Sequence, residues 1–144
     1  MKTFTLDEAQ SLLPVLESLL KRAIEGKRNA EEKDANLQEL RRRIFLAGGM
    51  QVNVVSVARQ RAEIDKLVQQ AKDAVGEIDA IGVQVKDLET GLLDFPHMID
   101  GEIVLLCWKM GESRIDFWHT VDAGFRGRQP IDERFGRSKP DRPN

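Results

Sequence analysis

The chain has 144 residues, 22 basic against 24 acidic side chains and 41% apolar residues, which suits one soluble domain with a real core and leaves no room for two independent ones. Its longest apolar run, Ile103 to Trp108, is far too short to span a membrane, and a net charge of −2 argues against nucleic acid as a partner, because a phosphate backbone favours a strongly basic surface. A single cysteine cannot close an intramolecular disulfide, and the opening MKTFTLDEAQ lacks an apolar signal core, so the expected compartment is the cytoplasm.

The first predicted element is a helix starting at Thr5, where Thr5 and Glu8 make a capping box and Asp7 adds negative charge to the first turn. Leu12, Leu16, Leu19 and Ala23 form a stripe at helical spacing that resumes at Ala30, Leu37, Leu40 and Ile44. Between them GKRNAEEKDA is almost wholly polar and begins with Gly26, so a kink or frayed section is expected around residues 26–34. Pro14 is expected to bend the helix or leave a carbonyl unpaired. Gly48-Gly49 ends it. A second helix is predicted over 52–80, where Val57, Ile64, Ala71 and Ile78 repeat every seventh residue, with Val68 and Val75 between them.

Helices joined by so short a turn must lie antiparallel. At about 1.5 Å per residue the first spans roughly 60 Å and the second roughly 40 Å. The first therefore overhangs at its N-terminal end, where Leu12, Leu13, Leu16, Leu19 and Leu20 are expected to cover one face of a sheet. Four strands in a meander are predicted over 82–86, 92–96, 102–109 and 114–120, separated by turns at Glu89-Thr90-Gly91, Asp100-Gly101 and Gly111-Glu112. EIVLLCWK is apolar on both faces and reads as the doubly covered centre. The second face then needs the tail, another subunit or a ligand.

The expected architecture is α+β in a single domain over 1–144: a long antiparallel helical hairpin (1–80), a four-stranded antiparallel meander (81–121) and an extended basic tail (122–144), mobile beyond Ile131. Charge follows these divisions. Residues 1–80 hold thirteen basic and thirteen acidic groups, 81–123 hold three and eight, and 124–144 hold six and three. An acidic sheet followed by a basic tail suggests that the tail folds back on it.

The runs GVQVKDLETGLLDFP, LLCWKMGE and FWHTVDAGFRGRQPI, with the opening FTLDEAQSLLPVL, resemble the bacterial family catalogued as domain of unknown function 2203. The resemblance covers most of the chain and is least specific in the helical middle. It implies a helical hairpin with a small sheet in prokaryotic cytoplasm and supplies no activity.

Candidate functional residues concentrate after Ile81, which holds both tryptophans, both histidines and the cysteine. Alternation in the fourth strand groups Ile115, Phe117 and His119 on one face and Asp116, Trp118 and Thr120 on the other. His119 is then either a core histidine or a ligand, and Trp118 either a ligand platform or an indole buried beneath the tail; Trp108 fits either face. In the tail, Arg126 and Arg128 flanked by glycines could fork onto an anion or pair with Asp94, Asp116 and Asp122. The candidate binding set is thus Asp94, His97, Trp108, Trp118, His119, Arg126 and Arg128. His97, His119 and Glu112, with Asp94 and Cys107, are the available metal ligands, but no recognised ligand spacing joins them, so no metal or other cofactor is predicted. Cys107 as a nucleophile beside His119 is disfavoured by its buried-looking strand.

Two function classes remain. One is a non-catalytic module that dimerises with a second copy through its hairpin and binds a small anion or an acidic partner on its sheet. The alternative is a metal-assisted hydrolase using Asp94, His97 and His119.

Overall fold

The computed structural model describes residues 1–48 and 54–136. Helices α1 (Leu6–Leu46) and α2 (Val54–Ile81) form the hairpin, and strands β1 (Gln84–Asp87), β2 (Leu92–Ile99), β3 (Glu102–Lys109), β4 (Phe117–Thr120) and β5 (Gln129–Pro130) follow. Each strand pairs antiparallel with the next, in the order β1-β2-β3-β4-β5. The class is the expected α+β hairpin on a meander, with five strands where the sequence suggests four. No described helix is long and apolar enough to cross a membrane.

The start of α1 follows from its first residues. The Thr5 hydroxyl accepts the Glu8 N–H at 3.1 Å and the Glu8 carboxylate accepts the Thr5 N–H at 2.8 Å, so two otherwise orphaned donors are satisfied reciprocally. Leu6, Ala9, Leu13, Leu16, Leu20 and Ala23 are buried at spacings of three and four, one continuous stripe. Pro14 sits within the helix on its exposed side, where water can serve the carbonyl it leaves unpaired.

The expected kink at residues 26–34 does not occur, because α1 runs unbroken through them. Gly26 instead marks a close crossing: a Cβ there would lie 3.2 Å from the Leu67 carbonyl and 3.4 Å from the Ala71 methyl. The antiparallel register is visible in ion pairs that join early α1 to late α2, Arg22 with Glu77 at 3.8 Å, and later α1 to earlier α2, Asp34 with Arg61 at 3.2 Å. The seven-residue repeat of α2 faces α1, with Ile64, Ala71 and Ile78 buried. Gly49 of the expected turn lies outside the described residues; Gly48, with φ 88°, adopts the left-handed conformation that glycine tolerates.

The overhang of α1 covers the sheet. Leu13, Leu16, Leu19 and Leu20 share one core with Phe95, Leu106, Trp108 and Trp118, while Leu12 is half-buried at its margin. Cross-strand pairing of Leu93 with Trp108, Phe95 with Leu106, and Leu106 with Trp118 puts these side chains on the helix-facing side. A smaller cluster of Ala30, Leu37 and Ile64 holds the far part of the hairpin. Both indoles are thus core residues on the helix side, and Trp118 is covered by Phe135, whose ring centroid is 5.4 Å away.

Two features of the sheet differ from expectation. The fourth strand begins at Phe117, because the Ile115 N–H donates to the Gln10 side chain on α1 at 2.9 Å and the Asp116 carbonyl accepts from Ile131 at 2.9 Å. Ile115 therefore joins the helix-side core and does not share a face with Phe117 and His119. The fifth strand comes from the tail, which returns to pair Gln129 and Pro130 with β4. Phe135 beyond it is buried, so the chain is packed past Ile131. Residues 137–144, read from sequence as mobile, lie outside the described residues.

Candidate functional site

Three neighbouring strands each deliver one polar side chain to the sheet face turned away from α1. Asp94 on β2 pairs across the ladder with Cys107 on β3, and His119 on β4 stands one pair further along, opposite Leu105. All three are buried, Asp94 at 1%, Cys107 at 0% and His119 at 2% exposure, and one donor atom from each lies within 4.8 Å of the others. His119 Nε2 is 3.1 Å from both Asp94 oxygens, and its Nδ1 is 2.7 Å from the Thr120 carbonyl. A carbonyl oxygen only accepts, so Nδ1 carries a proton and donates it there.

Burial, reinforced by the negative charge of Asp94, pushes the Cys107 thiol from 9.0 up to about 12. The folded chain holds this proton more tightly than the unfolded one. The stability contributed by the neutral thiol is therefore complete below about pH 9 and is lost as pH rises towards 12. A buried, protonated thiol is a poor nucleophile. Cys107 in the folded protein is expected to resist DTNB at mildly alkaline pH and to react once urea unfolds the chain; prompt reaction of the folded protein would show that solvent reaches this face.

Beside this cluster the tail supplies a cap. The Arg128 guanidinium lies 4.1 Å from the centroid of Phe117 and 4.7 Å from that of Phe125. Its Nη2 donates to both Glu112 oxygens at 2.8 Å. The buried Arg128 Nε has no hydrogen-bond acceptor among the described residues, and the two rings stabilise the guanidinium charge as a whole. Glu112 also accepts the Lys109 N–H at 2.8 Å through its side chain and the Trp108 indole N–H at 2.9 Å through its carbonyl. The expected folding back of the basic tail thus takes place, with Glu112 as the partner of Arg128 in place of Asp94, Asp116 or Asp122. Arg126 is exposed.

His97 stands apart from the cluster. It lies on the helix-facing side, pairs with Val104, donates through Nδ1 to the Phe4 carbonyl at 2.7 Å and stacks on Phe135 at 5.1 Å. Asp94, His97 and His119 therefore do not assemble into one site, nor do His97, His119 and Glu112. Asp94 and His119 do come together, and Cys107 completes the group. The sequence carries one signal for this that strand alternation alone misses: Asp100 and Gly101, with φ of 50° and 79°, make a two-residue hairpin turn, and counting outward from it sets Asp94 opposite Cys107.

The sequence profile of the family described as uncharacterized conserved protein (DUF2203) matches residues 2–131. The chain belongs to that family. The DUF2203 match takes in both helices, all five strands, the Asp94–Cys107–His119 cluster and Arg128, and it ends where the tail leaves β5. No curated protein and no solved structure matches the chain.

Proposed function

We propose that this DUF2203 protein is a cytoplasmic, non-catalytic interaction module that pairs with a second copy of itself through the helical hairpin. The observation that carries the reading is an apolar groove of about 430 Å³ along the hairpin, lined by Ala30, Val68, Ala71, Val75 and Leu88. Lys27, Glu31 and Lys72 edge it. A rim carrying both signs of charge complements itself under a two-fold axis, as an isologous interface requires. Phe45 and Leu46 at the end of α1, with Val54 and Val55 at the start of α2, are largely exposed and extend the apolar surface toward the hairpin tip.

Arg128 supports this reading over the binding of a small anion on the sheet, since its charge is already engaged by Glu112. Hydrolysis at Asp94 and His119 is disfavoured by burial, because both side chains are closed to a substrate. Light scattering at tens of micromolar is expected to give a dimer mass. Val68 lies at the groove and is 37% exposed, so Val68→Asp should yield a folded monomer, whereas Ile64→Asp, in the hairpin core, should unfold the chain. A monomer mass for the unaltered protein rejects the proposal.

A further inference from the structure

We infer that Asp94, Cys107 and His119 form a binding site for one divalent transition-metal ion of the zinc class, which ties β2, β3 and β4 together on the face opposite α1. The His119 Nδ1 proton is committed to the Thr120 carbonyl at 2.7 Å, which leaves the Nε2 lone pair turned towards both oxygens of the Asp94 carboxylate at 3.1 Å. Two lone-pair-bearing groups facing each other in a dry interior repel unless a positive centre lies between them.

A proton on Nε2 would provide one charge and leave the Cys107 thiol as no more than a weak donor to Asp94. A divalent ion engages all three residues. With Cys107 as thiolate, Asp94 as carboxylate and His119 neutral, two negative charges balance the ion, and the buried centre is neutral overall. The donor types, one sulfur, one imidazole nitrogen and carboxylate oxygen, are those of zinc sites. The two oxygens of one carboxylate subtend too narrow an angle to fill two tetrahedral corners, so the three residues occupy three positions of the shell and a water molecule takes the fourth. The three donor atoms already lie within 4.8 Å of one another, and bonds of about 2.0–2.3 Å require only a modest contraction about the ion. The hydrogen bond from Nδ1 to a backbone carbonyl is the outer-shell contact that orients metal-bound histidines.

Burial of all three ligands makes this a structural tie. On binding, the thiol proton is released to solvent together with any proton held between Nε2 and Asp94, and the sulfur lone pair forms the bond to the ion.

The test uses the full chain purified without an affinity tag. Because the site is sealed, Co²⁺ is added while the reduced protein refolds from urea. Cys107 is the single cysteine, so a thiolate-to-cobalt charge-transfer band in the near ultraviolet can come from no other residue. The expected result is one Co²⁺ per chain with that band, displacement by Zn²⁺, and a higher melting temperature with Zn²⁺ than with chelator. Cys107→Ser should abolish the band, and His119→Gln should weaken Zn²⁺ binding by more than about tenfold. Should either variant fail to fold, the band in the unaltered protein decides alone. Refolded protein with neither the band nor stoichiometric metal overturns the inference, as does uptake undiminished in Cys107→Ser, which would put the ion elsewhere.

Discussion

Replacing His119 by leucine is expected to destabilise the metal-free fold by about 3–5 kcal/mol, the range for leaving a buried charged group without its partner. Asp94 is 1% exposed, and besides the Cys107 thiol its carboxylate has His119 Nε2, 3.1 Å from both oxygens, as its partner. Without the imidazole a carboxylate remains in a low-dielectric interior with a thiol as its sole donor, and a thiol is a weak one. The double variant Asp94→Leu with His119→Leu should lose less than His119→Leu alone, because replacing a whole buried pair by apolar groups removes the stranded charge. Urea unfolding in the presence of a chelator isolates this effect from any bound metal. If His119→Leu stays within about 1 kcal/mol of the parent, the Asp94–His119 contact does not hold the sheet together.

Leu16→Ala is expected to lose about 2–4 kcal/mol, the usual range for a leucine deleted from a packed core. Leu16 is fully buried in the cluster that joins α1 to the sheet, where strands and helix hold the walls of the resulting cavity apart. Leu37 is also buried, at 1% exposure, but among the described residues its hydrophobic cluster is small, Ala30 and Ile64 with the partly buried Leu40, Val57 and Leu67. Two helices bordered by solvent can close on a small void more easily, so Leu37→Ala should lose less. Equal losses would mean that the far half of the hairpin is as rigidly packed as the half on the sheet.

These two leucines also mark how far the residues alone carry the fold. The capping box at Thr5, the helical stripe from Leu6 to Ala23 and the Asp100-Gly101 turn act between residues three or four apart, so their consequences can be read without knowing what lies across the core. The overhang of α1 follows from helix lengths, which is why Leu13, Leu16, Leu19 and Leu20 could be assigned to the sheet. Gly26 could not be read this way. A glycine in a polar run is a kink when its neighbour is solvent and a close crossing when its neighbour is the Leu67 carbonyl, 3.2 Å from where a Cβ would stand, and only the opposing helix decides which.

The candidate site divides in the same manner. Asp94 and Cys107 belong to strands joined by a two-residue turn, so their pairing was available by counting. His119 reaches them across a connection from Met110 to Asp116 whose path is set by Gln10 taking the Ile115 N–H and Ile131 reaching the Asp116 carbonyl. Nothing local fixes that register, and a shift of one residue would have turned His119 to the helix side. Arg128 is similar: charge balance indicated that the tail returns to the sheet, but long-range attraction does not choose among carboxylates, and the stacking on Phe117 and Phe125 is what aims it at Glu112.

The sequence by itself determined the α+β class, the hairpin, the meander and the family, because periodicity, turn chemistry and composition are local properties of the chain. Tertiary structure alone decided that His97 faces α1 while His119 meets Asp94 and Cys107, and that both indoles are core. The physical reason is that side-chain convergence depends on strand register and on the contacts that pin loops, which arise only when segments distant in sequence pack together.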